Sequence, residues 1–241
     1  MAKAMFVWLG SGRARKQGVS QKGQLMDRAA RAGLPVPAGA ILLDPFYRLA
    51  IAENMARVEQ ERVTIVDPEL LHNTLRYSVR LPRFDHPITV SPLFDEDEWY
   101  DSPLNGNETD FGNARDLARV LAQVWTAYHK NKPVARYDVL LMEKVEPNQS
   151  GVVISRDDDE FDSMILDGSP VNELDQRIPK GIDLPRLQRF QLPKSNRLPF
   201  ERRLQMLLGG VRRTFGAGDW RIDWADDGHI CWLLMVSAAQ K

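Results

Sequence analysis

The clearest hydrophobic pattern in the chain runs from Ala114 to Lys130. There Leu117, Val120, Leu121, Val124, Trp125 and Tyr128 recur at the three- and four-residue spacing of one helical face. Leu204, Met206, Leu207, Leu208 and Val211 mark a second helix over Phe200 to Phe215. Leu25, Met26, Ala29 and Ala30 group on one side of a third, from about Ser20 to Ala32, with Gly33 and Pro35 as its stop. Asp44 before Pro45 predicts a capped helix through Phe46, Leu49, Ala50 and Met55, and Asp67-Pro68 predicts another. Short apolar runs predict strands at Phe6–Leu9, Ala40–Leu43 and Tyr77–Leu81, the last ended by Pro82. Tyr137–Val145 and Gly151–Ser155 read as a hairpin across Glu146–Ser150. Trp220–Ala225 and Ile230–Val236 read as another, across Asp226-Asp-Gly228. Between residues 82 and 113 periodicity fades into a loop or edge region, and Arg156 to Leu192 predicts no element. No internal repeat is present. The class is α/β (mixed α+β), with an N-terminal subdomain over 1–81, an irregular acidic connection over 82–113 and a C-terminal subdomain over 114–241.

Composition narrows the picture only in places. The 241 residues are 43% hydrophobic and 27% charged, ordinary values for a folded globular chain. Lys plus Arg (32) nearly balances Asp plus Glu (33), so no basic excess favours nucleic acid as a partner. One cysteine, Cys231, leaves no internal disulfide and no Cys-rich zinc site. No apolar stretch reaches the roughly 18 residues of a membrane span, and the N-terminal apolar run is too short for a secretory signal. A soluble, cytoplasmic protein without a membrane partner is the expectation. Asp95-Glu-Asp-Glu98 and Arg13-Ala-Arg-Lys16 are charge runs of the kind that usually cover solvated surface. The four histidines lack metal-ligand spacing, and Trp125, Tyr128, Trp220, Trp224 and Trp232 fall at core spacings.

Four segments, in order, carry a family resemblance. They are Lys22-Gly-Gln-Leu-Met-Asp-Arg-Ala-Ala-Arg-Ala-Gly-Leu-Pro-Val-Pro-Ala-Gly39; Ser78-Val-Arg80; Val139-Leu-Leu-Met-Glu-Lys-Val145 with Ser150-Gly-Val-Val-Ile-Ser155; and Arg221-Ile-Asp-Trp-Ala225 leading to Trp232-Leu-Leu-Met235. Together they resemble the N-terminal nucleotide-binding domain of phosphoenolpyruvate synthase and pyruvate phosphate dikinase, an ATP-grasp-type fold of two subdomains. The resemblance implies ATP as ligand, with Lys22 and Arg80 as phosphate clamps and Met142 and Glu143 in the adenine-side strand. Asp223 stands where the family has a metal-ligating glutamate. A triphosphate needs cationic clamps, and Mg²⁺ needs hard oxygen ligands, which is the chemistry these positions serve.

The sequence departs from that pattern at the phosphate and metal end. Ser20 and Gln21 replace the glycines before Lys22, and Leu81 and Pro82 replace the serines after Arg80. Arg221 stands for an acid, and Met235 for a glutamine. A thioether is a poor ligand for Mg²⁺, so Asp223 alone makes at best a weak metal position. Arg221 and Asp223 fall on one strand face, close enough for the guanidinium to occupy the carboxylate. Each residue also has a plainer reading: Lys22 as an exposed helical lysine, Arg80 as an ion-pair partner of Asp223 or Asp85, Asp223 as structural. Two functions follow from the resemblance. One is the ATP-binding subunit of a phosphotransferase, inactive alone, whose partner protein carries a phospho-accepting histidine domain. The other is a degenerate relative serving as a protein-interaction or regulatory module.

Overall fold

The structure, a computed structural model, describes residues 4–81, 84–93, 107–130, 136–167, 181–188 and 191–239. The acidic run 95–98 and Pro82 lie outside them. The chain divides into two compact units, one of residues 1–27 and 38–144, the other of 28–37 and 145–241. The expected divisions at 81/82 and 113/114 do not coincide with these.

The first unit contains β1 (Phe6–Trp8), the start of α1 (Gln21–Arg31), β2 (Gly39–Leu42), α2 (Asp44–Ala52), β3 (Ala56–Glu59), β4 (Arg62–Ile65), α3 (Pro68–Asn73), β5 (Ile88–Pro92), β6 (Asn107–Thr109), α4 (Ala114–Lys130) and β7 (Val139–Glu143). Five of its strands form an antiparallel sheet in the order β1-β2-β7-β5-β6, and β3 with β4 forms a separate hairpin. One sheet face, through Ala40, Leu42, Val139, Leu141 and Ile88, joins a core with Phe46 of α2 and Leu117, Leu121 and Trp125 of α4. Strand alternation sends Ile41, Leu140 and Met142 to the opposite face. There α1 comes close: a Cβ on Gly23 would lie 3.2 Å from Ile41 Cδ1 and 2.4 Å from Val19 Cγ1. Any side chain at 23 would force Val19 to shift.

The second unit holds β8 (Gln149–Ser155), β9 (Phe161–Leu166), β10 (Ile182–Pro185), α5 (Pro199–Phe215), β11 (Trp220–Asp226) and β12 (Cys231–Ala238). Its strands make one antiparallel sheet, β10-β9-β8-β11-β12. The helix α5 lies against it through buried Leu204, Leu208 and Val211, and Phe200 stacks on Trp224 at 6.0 Å. A Cβ on Gly151 would lie 2.0 Å from the Ile165 carbonyl oxygen, so the glycine of the Ser-Gly-Val segment is what lets β8 and β9 meet.

Several expectations need correction. The strands at 139–143 and 149–155 form but do not pair with each other. Each joins the sheet of its own unit, where β2 and β5 take both edges of β7, and β9 and β11 take both edges of β8. Tyr77–Leu81 is not a strand. A π-helical turn over Thr74–Ser78 prolongs α3, burying Leu71 and Leu75 four residues apart, and the Leu81 N–H closes onto Leu75 O. Asp44 does not cap α2. Leu43 holds that position, and the Asp44 carboxylate instead accepts from Arg48 Nε at 2.6 Å. Asp67 does cap α3, accepting from Leu70 N at 2.9 Å. The 82–113 region carries β5, an inner strand, and β6, an edge strand. The hairpin β11–β12, the core positions of Trp125, Tyr128 and Trp224, and the exposure of Arg13, Arg15 and Lys16 are as expected. Among the described residues no helix is long and apolar enough to cross a membrane.

Candidate functional site

In the first unit, Ser20 opens α1. Its Oγ accepts from Gly23 N at 3.5 Å, and its carbonyl from Gln24 N at 3.0 Å. The hydroxyl thus engages one of the N–H groups that a helix start otherwise offers to an anion. Lys22 is half-buried in this first turn. The loop before it is held by Asp27, 3% exposed, which accepts the N–H groups of Gly12 at 3.0 Å and Ala14 at 2.9 Å.

Met142 is buried at the end of β7, opposite Gly39 and on the sheet face that α1 covers. Glu143 is half-buried and, one residue on, belongs to the other face. The two adenine-side candidates therefore do not share a surface of the strand. Arg80 departs furthest from expectation. It is exposed, with φ of 59°, in the left-handed region beyond the π turn, and makes no ion pair with Asp85 among the described residues. A guanidinium in solvent needs no partner to offset burial.

In the second unit, β11 alternates sharply. Ile222 and Trp224 are fully buried toward α5, while Arg221 and Asp223 share the opposite face of the sheet. Arg221 Nη2 stands 3.3 Å from Asp223 Oδ1, as the spacing predicted. Both are nearly enclosed, at 8% and 4% exposure. Across the sheet, Arg221 pairs with Ile154 and Ser237, and Asp223 with Val152 and Met235, so the carboxylate's own strand neighbours are hydrocarbon and a thioether. A carboxylate already held by a guanidinium, beside Met235, does not fit the oxygen-rich octahedron that Mg²⁺ requires. Among the described residues no group of three His, Cys, Asp or Glu side chains is placed to hold a metal ion.

Sequence reasoning missed two charged assemblies in this unit. Asp162, 1% exposed, accepts from Arg186 Nε at 2.9 Å and from Arg212 Nη1 at 2.9 and 3.1 Å; both arginines also reach Ser155 Oγ at 3.3 Å. Asp226, also 1% exposed, takes Arg203 in a two-point contact at 2.6 and 2.7 Å, which raises the pKa of the guanidinium further. Their members are distant in sequence, and no local motif announces them. In the first unit, the Tyr47 hydroxyl and His129 Nε2 share a hydrogen bond at 2.7 Å, and Tyr47 stacks on Tyr137 at 4.2 Å. Burial pushes the Tyr47 phenol up to about 12 and holds the His129 imidazole below its ordinary value.

No protein-family profile matches the chain, and no curated protein matches it. Solved structures give loose likenesses. An L-amino acid ligase from Bacillus licheniformis aligns over 93% of this chain at 9% identity, with a TM-score of 0.49. A D-alanine–D-alanine ligase from Bacillus anthracis, complexed with ATP, aligns over 94% at 11% identity and 0.45. The ATP-grasp ligase PsnB, complexed with minimal precursor, Mg and ADP, aligns over 97% at 15% identity and 0.42. The chain spans 46%, 62% and 54% of these proteins' lengths, respectively.

Proposed function

We propose that this chain is a divergent ATP-grasp-type nucleotide-binding domain of the phosphoenolpyruvate synthase and pyruvate phosphate dikinase kind, one that takes ATP with little help from Mg²⁺. The observation that carries the reading is the Arg221–Asp223 ion pair, 3.3 Å across, at the position the resemblance gives to the metal-binding acid. In this reading Lys22 and Arg80 keep the phosphate-clamp roles that the resemblance gives them, and Arg221 supplies positive charge at the metal position. Met142, on the sheet face with Gly39, meets the adenine, and Glu143, on the other face, is set aside as a side-chain contact. Asp223 orients the arginine more than it binds metal.

Two roles descend from it. The chain serves either as the nucleotide-binding subunit of a multi-component phosphotransferase, with a partner supplying the phospho-accepting histidine, or as a catalytically degenerate module in regulation or protein interaction. The carboxylate occupied by Arg221 favours the second, because phosphoryl transfer depends on metal ions bridging the phosphates. Isothermal titration with ATP, ADP and AMP tests the reading. Affinity should fall as phosphates are removed, and Lys22→Ala should weaken ATP more than AMP. No binding of any of the three contradicts it. The chain alone should make no phosphoenolpyruvate from pyruvate and ATP, and dose-dependent turnover refutes both roles.

A further inference from the structure

A groove of about 740 Å³ runs along α5 within the second unit. Its floor is buried Leu207 and Cys231, and its walls are Leu34 with Pro35 on one side and the outer stripe of α5 on the other. The walls are built in. A Cβ on Gly210 would lie 2.7 Å from Leu34 Cδ2, so Leu34 packs directly against the helix backbone there. Pro35 O accepts Leu233 N at 2.8 Å, which ties that wall to β12. At the far side Asp227 accepts the N–H groups of His229 and Ile230, each at 2.7 Å, and the indole N–H of Trp232 at 2.8 Å.

Two properties set this groove apart. Leu192, Met206 and Ile230, which line it, are 74%, 50% and 40% exposed, and Leu198 at the start of α5 is 57% exposed. Apolar side chains this open do not enclose a small ligand; gathered in one patch, they mark a protein contact. Among the described residues the charged lining is of one sign: Arg202, Arg203 and Arg213 contribute, and no carboxylate does. Arg203 is neutralised by Asp226, whereas Arg202 and Arg213 are exposed and form no ion pair among the described residues. They sit three turns apart on the stripe, roughly 16 Å along the axis. A second copy of the same face would bring arginine against arginine.

We propose that this groove docks an acidic amphipathic segment of a partner protein, its apolar side chains on Leu34, Met206, Leu207 and Ile230 and its carboxylates at Arg202 and Arg213. This surface is independent of the nucleotide reading.

The test is selection of a displayed random-peptide library on the full chain, followed by fluorescence anisotropy of the enriched peptides. The expected consensus alternates aliphatic positions with Asp or Glu. Binding should fall about tenfold or more in Arg202→Glu/Arg213→Glu, about 1.4 kcal/mol or more, and likewise in Met206→Glu. All three positions are exposed, so unchanged thermal midpoints should show that the variants remain folded. Enriched peptides without an acidic bias, or with equal affinity for wild type and both variants, overturn the proposal. So does sedimentation showing a dimer that Met206→Glu dissolves, since the occupant is then a second copy.

Discussion

Replacing Asp162 by asparagine should be among the costliest single changes in the second unit. The carboxylate is 1% exposed and sits between two guanidinium groups, with N–O distances of 2.9 to 3.1 Å. The arginine side chains are themselves only 16% and 24% exposed, so solvent screens little of the contact. Asparagine keeps the volume and removes the charge, leaving two cations facing each other across a neutral amide. Removing one member of a buried ion pair costs about 3–5 kcal/mol. At about 4 °C per kcal/mol, where the ranges for smaller and larger domains meet, the thermal midpoint should drop by roughly 12–20 °C. Circular dichroism melting and urea titration would measure it. Arg119→Ala is the control. Its partner Asp116 is 4.0 Å away and both side chains are half-exposed, so the loss should be within about 0.5 kcal/mol. If Asp162→Asn costs less than about 1 kcal/mol, the cluster is not holding β8, β9, β10 and α5 together, and the reasoning from burial fails.

Two further outcomes follow from the same structure. Burial lowers the His129 pKa below 6.5, so between the folded value and 6.5 the unfolded chain binds more protons; this stability is present above 6.5 and lost as pH falls through the folded value. The urea midpoint should therefore drop further between pH 8 and pH 5 in wild type than in His129→Gln, and equal drops would refute the assignment. Gly151→Ala places a methyl 2.0 Å from a backbone carbonyl oxygen that cannot swing aside, and should cost about 2 kcal/mol or more by urea titration. A neutral result would mean that the two strands separate easily.

The elements legible in the sequence were those whose signal is local. The helices α1, α4 and α5 announce themselves through apolar stripes, and the observed bounds differ from the expected ones by a residue or so. The pair β3–β4 was not legible because its turn uses Gln60 and Glu61 at φ of 47° and 66°, a conformation ordinarily signalled by glycine or asparagine. The strand β9 hid behind Asp162, a charge where alternation calls for an apolar residue. Partner choice was hidden too: the two strands around Glu146–Ser150 read as neighbours, but pairing depends on which distant edges are available. At the candidate site, the Arg221–Asp223 pair followed from strand alternation alone. The opposite faces of Met142 and Glu143 were equally readable from alternation and were passed over. The link of Asp162 to Arg186 and Arg212, 24 and 50 positions away, had no local trace.

In the proposed reading Arg221 takes over at Asp223 the role that the resemblance gives to a metal ion, and one affinity series tests it. ATP binding is measured with and without Mg²⁺ for wild type, Arg221→Asp and Asp223→Ala. The account predicts nearly equal wild-type affinities under the two conditions, a gain from Mg²⁺ only in Arg221→Asp, where a second carboxylate joins Asp223, and no Mg²⁺ dependence in Asp223→Ala. Wild type binding MgATP much more tightly than metal-free ATP, with that gain abolished by Asp223→Ala, would contradict it.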